Sequence, residues 1–376
     1  MKTNDRFREK CQTRVLAVKG ICMKLKELLT YDDIVIQCHD NPDADAMGSA
    51  YGLYCYFKEK DPQKDVRIIY SGDYQIEKSN LKLMIQELEI PIAYVSELVP
   101  PDLLITVDCQ YGNGNVVPFQ AKQVAVVDHH QISSPELPGM KGFYGQPEIL
   151  SAQFVEIHNT LGSCCTVVYK LLKAAGFDIN QNENLATALY YGLYMDTKRC
   201  SEIYSEDDKK LRDHAHYNKK KVHMFQNANL TLQELEIAGR AMLGYQYFSE
   251  KRYAIVRAEA CDPNLLGLIS DFMMEVDVVD VSVVYCILPF GIKLSVRSST
   301  PKTCADELAD YLTGDVDRQR SSVMKYGSGG GHITKAGGFI NRALFQTIHP
   351  EIAMEDEAIG RFFEQRLETY FDRLKT

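Results

Sequence analysis

The chain has 376 residues, 45% of them hydrophobic and 25% charged, and carries a net charge of −9. That length exceeds one typical domain, and the composition is that of a globular protein rather than a disordered or fibrous one. The negative balance argues against the broad basic surface on which non-specific binding of long duplex DNA depends, and no apolar run approaches the roughly 20 residues that cross a bilayer. The opening run MKTNDRFREKCQTR is polar and lacks the apolar centre of a secretory signal, so a cytoplasmic protein without membrane partners is expected. Eleven cysteines are scattered without a CxxC pair, which fits reduced thiols better than a disulfide framework or zinc ribbon.

From Asp33 to about Met195, short β-branched runs alternate with helical patterns. DIVIQC (33–38), VRIIYS (66–71), LLITVD (103–108) and QVAVVD (123–128) read as strands. AMGSAYGLYCYFKEK, SCCTVVYKLLKAAG and NENLATALYYGLYM read as helices, the second closed by Gly176. Near-continuous apolar strands separated by helices predict a mainly parallel sheet buried on both faces. From Ser205 to about Met242 the chain turns polar and helical. A second pattern then follows: the strands YAIVRAEA, DVSVVYCIL and KLSVRS, the helical DELADYL, the run YGSGGGHITKAGGF and an amphipathic helix from about Pro350. The expectation is an α/β protein with an N-terminal domain over 15–225, a helical linker over 226–245, and a smaller C-terminal α/β domain over 246–376, with a cleft between the domains.

Charge concentrates where the apolar strands end. HDNPDADAMGS (39–49) follows Ile34-Val35-Ile36, Asp108 closes LLITVD, Asp128-His129-His130 closes the next strand, and Asp196 follows YYGLYM. Binding groups in open α/β sheets collect beyond the carboxyl ends of the strands. One acidic turn is commonplace: His39, Asp43 and Asp45 alone would pass for an Asx-type turn around Asn41-Pro42. Several such clusters at equivalent places point to a shared ligand. Carboxylate and imidazole donors without thiolate suit Mn²⁺, with Mg²⁺ as the alternative. Carboxylates this dense call for two divalent cations, the device used for in-line displacement at phosphorus, with the ions ~3.5–4 Å apart.

HDNPDADAMGS, VDCQ, VDHH and the aspartate of LYMDT resemble, in order, the motifs of the DHH phosphoesterase superfamily. GSGGGHITKAGG resembles the glycine-rich signature of its DHH-associated C-terminal domain. The likeness covers about residues 15 to 345, and the spacing is most similar to the nanoRNase and 3′-phosphoadenosine-5′-phosphate phosphatase branch. The resemblance implies one metal on His39, Asp43 and Asp108, and a second on Asp45, Asp108, His129 and Asp196. It also implies His130 facing the substrate phosphate, Asp128 orienting a ligand histidine, and Arg297, Gly329, Gly330, Gly331 and His332 on the substrate. Asp196-Thr197-Lys198-Arg199 departs from the family, which often carries small residues there. Lys198 or Arg199 is read as an added phosphate contact, against the plainer reading of a solvated basic pair.

The implied activity is hydrolysis of short RNA, dinucleotides such as linear di-adenylate, or 3′-phosphoadenosine 5′-phosphate, by a monomer or homodimer. Inorganic pyrophosphatase, a RecJ-like single-strand exonuclease and an inactive nucleotide-binding module are the alternatives. Taken alone, GSGGGH could be a flexible loop and Arg297 a solvated edge residue. His214, His216 and His223 lie amid charge runs and read as a solvated helical face.

Overall fold

The computed structural model describes residues 24–130, 154–203, 205–228, 230–317 and 322–374, and the polar N-terminal run lies outside them. The chain divides into two compact units that meet at Leu230 and Thr231. In the first, β1 (Asp33–Cys38), β2 (Asp65–Tyr70), β3 (Ile92–Tyr94), β4 (Leu103–Val107), β5 (Gln123–Asp128) and β6 (Phe154–Ile157) build one sheet. Its order is β3-β2-β1-β4-β5-β6 and every pair is parallel. Residues 34–38 and all of β4 are buried, as expected of apolar strands covered on both faces. The edge strands β3 and β6 are too short to show a period, and sequence reading passes over them.

The longer helices of this unit are α1 (Ala44–Lys60), α2 (Ser79–Leu88), α3 (Cys164–Ala174), α4 (Glu183–Asp196), α5 (Glu206–His214) and α6 (Lys219–Asn227). Gly176 follows α3 at a φ of +74°, a left-handed stop that favours glycine. Strand order reverses between β1 and β4, so their carboxyl ends part there and leave the crevice in which open α/β sheets hold ligands. His39 follows β1 directly, Asp108 follows β4, and Asp128 ends β5.

The second unit comprises α7 (Leu232–Leu243), β7 (Gln246–Phe248), β8 (Tyr253–Ala258), α8 (Pro263–Met274), β9 (Val281–Leu288), β10 (Gly291–Ser298) and α9 (Ala305–Leu312). After these come β11 (Gly314–Asp317), β12 (Ser322–Lys325), β13 (Gly327–Gly331), β14 (Lys335–Asn341), α10 (Arg342–Ile348) and α11 (Asp356–Arg373). Its main sheet has the order β13-β14-β10-β9-β8-β7; only the β8–β9 pairing is parallel. Tyr253, Val283, Leu294, Ile340 and Phe363 are among its buried core. Helix α7, inside the stretch read as a linker, groups with this unit. Arg297 lies on β10 between two paired strands, not on a sheet edge. The GSGGG run is a paired strand rather than a loop. No helix among the described residues is long and apolar enough to cross a membrane.

Candidate metal centre

The donors gather around Asp108, which sits in the left-handed region at φ 59°. Only an ordered surrounding maintains such a conformation in a non-glycine residue. Its two oxygens face different neighbours: Oδ2 lies 3.6 Å from His39 Nε2 and Oδ1 lies 3.2 Å from His129 Nε2. Asp43 Oδ1 is 3.9 Å from His39 Nε2. On the other side His129 Nε2 stands 3.7 Å from Asp45 Oδ2 and 3.4 Å from Asp196 Oδ2. Ligand atoms of His39, Asp43 and Asp108 therefore converge in one group, and those of Asp45, His129 and Asp196 in another.

Main-chain groups hold these side chains in place. Asp43 caps α1, its Oδ1 accepting from the Asp45 and Ala46 N–H groups. Asp45 is 1% exposed and accepts from Cys164 and Cys165 N–H at 2.7 and 2.8 Å. The N-terminus of α3 thus receives a carboxylate, which its dipole favours. His129 Nδ1 lies 3.2 Å from the Leu161 carbonyl. Donation of an Nδ1 proton there leaves the Nε2 lone pair aimed at the carboxylates. His130 Nδ1 sits 2.8 Å from Asp128 Oδ1, and Gln110 Nε2 donates to the other Asp128 oxygen. The histidine that Asp128 orients is thus His130, while His129 is oriented by a backbone carbonyl.

The electrostatics ask for positive charge. Burial acts to lower the His39 pKa, but Asp108 and Asp43 outweigh it and push it up to about 10. Burial also opposes His129, yet Asp108, Asp196 and Asp45 raise it well above its ordinary value. Burial and the Asp108 charge raise Asp43 and Asp45. Asp108 moves the opposite way: His129 and His39 hold it well below the carboxylate range despite burial. Its buried Oδ1 accepts no well-formed hydrogen bond among the described residues, although His129 Nε2 is close. Burying carboxylates this close together is costly unless cations compensate them. A donor set of imidazole nitrogens and carboxylate oxygens around such an orphaned atom fits hard or borderline divalent ions.

Lys198 pairs with Glu202 at 2.6 Å. Lys198, Arg199 and Cys200 all have positive φ, a run that is rare outside glycine. In the second unit Arg297 donates from Nε to Asp271 and from Nη1 to Ser295 Oγ and the Val296 carbonyl. A Cβ at Gly329 would meet the Ala309 carbonyl oxygen at 2.3 Å, so this glycine serves close packing of β13 on α9. Gly330 has nothing within 4 Å of that position, and Gly331 has φ +145°. His332 donates its N–H to the Lys335 carbonyl at the turn into β14. His214, His216 and His223 are exposed. Sequence reading missed Leu161, Cys164 and Cys165, which act through main-chain atoms, and Gln110.

Residues 33–193 match the model of the DHH family, N-terminal domain. Most of the first unit is thus similar to DHH-family N-terminal domains. Along 93% of the chain, 21% of residues are identical to an uncharacterised protein of Methanocaldococcus jannaschii, and the match spans 66% of that relative's length. The crystal structure of an exopolyphosphatase-related protein from Bacteroides fragilis superposes with a TM-score of 0.65. That likeness covers 94% of this chain and 97% of the other at 17% identity, and is one of fold. All the residues gathered around Asp108 lie within the DHH match except Asp196, three residues beyond it.

Proposed function

We propose that the chain is a two-metal phosphoesterase acting on short oligoribonucleotides, dinucleotides such as linear di-adenylate, and 3′-phosphoadenosine 5′-phosphate in the cytoplasm. One observation carries the reading: the buried Asp108 turns one oxygen to each of two donor groups. His39, Asp43 and Asp108 would hold one divalent cation, and Asp45, Asp108, His129 and Asp196 the other. Mn²⁺ suits the donors, and Mg²⁺ is the alternative. When bound, such ions neutralise the carboxylates and act as Lewis acids toward a phosphoryl oxygen. His130 is fixed by Asp128, and that carboxylate raises its pKa against burial. The imidazole is placed to donate a proton to a leaving oxygen or to stabilise phosphate charge. In the second unit Arg297, Gly330 and His332 are assigned to the nucleotide.

The test is a hydrolysis panel in Mn²⁺ with di- to pentaribonucleotides, linear and cyclic di-adenylate, 3′-phosphoadenosine 5′-phosphate, pyrophosphate, polyphosphate and a long single strand. The short nucleotides should turn over fastest, and Asp108→Asn and His129→Ala should each reduce turnover by about 100-fold or more, as losing one electrostatic group does elsewhere. Turnover that survives both substitutions, or that needs no divalent cation, would reject the centre. Preference for polyphosphate would keep the centre and move the substrate toward the class that the exopolyphosphatase-related neighbour suggests.

A further inference from the structure

The charge run EDDKKLRD (206–213) lies in α5, and most of its charged residues are at least partly exposed. Glu206 and Asp213 are exposed, and Asp207 pairs with Lys170 and Lys210. Asp208 is only 1% exposed. Its Oδ2 accepts the Gly162 N–H at 3.0 Å, and its own N–H lies 3.3 Å from the Ser205 hydroxyl that caps α5. Burying a carboxylate is costly, so its place inside the unit calls for a reason.

Gly162 belongs to a five-residue segment that organises half of the metal centre. The Leu161 carbonyl faces His129 Nδ1. Ser163 caps α3, its side chain accepting from Thr166 N–H. The Cys164 and Cys165 N–H groups grip both oxygens of Asp45. Gly162 itself is wedged: a Cβ there would meet Thr197 Cγ2 at 2.7 Å and Asp208 Oδ2 at 3.2 Å. Thr197 directly follows Asp196. The segment 161–165 therefore touches the supports of Asp45 and His129 and packs beside the residue after Asp196, and Asp208 is its side-chain anchor.

We propose that Asp208 is a positioning residue: by pinning Gly162 it sets the Leu161 carbonyl and the α3 N-terminus, and through them His129 and Asp45, for one cation of the pair. This rests on the two-cation reading above. It predicts an asymmetric defect, because His39 and Asp43 draw no support from this segment.

The experiment is calorimetric titration of Mn²⁺ into the metal-stripped full chain, with kcat and KM measured alongside at saturating Mn²⁺. Wild type should show two binding events. Asp208→Ala should weaken one of them by about 10–100-fold, the usual effect of losing an outer partner of a metal ligand, and leave the other in place. kcat should fall while KM holds. Asp208→Asn, whose amide oxygen can still accept the Gly162 N–H, should restore near wild-type binding. Gly162→Ala displaces the same segment from the other side and should reproduce the asymmetric loss. It decides the matter where Asp208→Ala does not fold. Two unchanged affinities in Asp208→Ala or Gly162→Ala overturn the proposal, as does an equal weakening of both events. A wild-type chain that binds no Mn²⁺ overturns the two-cation reading and this proposal together, whereas intact binding in the variants overturns this one alone.

Discussion

At the scale of single residues, the centre is a balance of charge that protons keep only while the pH stays below the raised pKa values. His39 is pushed up to about 10 from an ordinary value of 6.5, with Asp108 and Asp43 overcoming burial. A histidine whose pKa rises on folding stabilises the native state fully below its unfolded value. That stabilisation disappears as pH climbs through the folded value. Asp43 and Asp45, raised by burial and by Asp108, destabilise the native state once they ionise, so they act in the same direction. The metal-free protein should therefore lose thermal stability between about pH 6.5 and 10. Metal binding displaces the same protons and strengthens as pH rises, so Mn²⁺ should flatten or reverse the trend. Melting curves in chelator and in Mn²⁺ across this range test the point; a metal-free Tm that stays level from pH 6.5 to 10 would contradict it.

At the scale of elements, glycines of like appearance in GSGGGH divide by what lies beside them. Gly329 abuts the α9 backbone at Ala309, and backbone cannot step aside as a flexible side chain can. Gly329→Ala should cost about 1–3 kcal/mol, the range for forcing an extra carbon into a packed site. Gly330→Ala meets nothing within 4 Å and should leave the melting temperature near wild type. Any loss it causes should fall on nucleotide binding. Equal melting temperatures for the two variants would overturn this division. Sequence reading could not separate the pair, because the run names residue types and not their neighbours. Where pattern alone decides, the strands 33–38 and 123–128 form at the expected bounds, since burial on both faces leaves a continuous apolar signal. Edge strands of three or four residues leave none. The side chains around Asp108 were readable because Asp and His are distinctive beyond strand ends. Their supports were not: the Leu161 carbonyl and the Cys164 and Cys165 N–H groups carry no residue-type signature, and Asp208 hides among solvated charges.

At the scale of the whole molecule, the proposed function asks a chain of net charge −9 to attract an anion. The first unit meets this with a centre that calls for cations, while the second offers a local basic strip. Arg297 pairs in register with Lys335, and Ser295 with Gly337, which in turn pairs with Gly330. Opposed residues of antiparallel strands share a face, and so do positions two apart along a strand. Arg297, Lys335, Ser295, Gly337 and Gly330 thus line one side of the sheet, basic at one end and bare of side chains at the other. Asp271 and Ser295 hold the guanidinium in one orientation, which lowers the ordering cost of gripping a phosphate. A hydrogen bond to a charged group contributes about 1.5–3 kcal/mol, or roughly 10–100-fold in affinity. Arg297→Ala should raise KM for linear di-adenylate by that factor and leave both Mn²⁺ affinities untouched. Arg297→Lys should recover only part of the loss, because an ammonium cannot reproduce the planar fork. An unchanged KM in Arg297→Ala would confine the arginine to a structural pairing with Asp271. A parallel loss of Mn²⁺ would show instead that the substitution disturbs the fold as a whole.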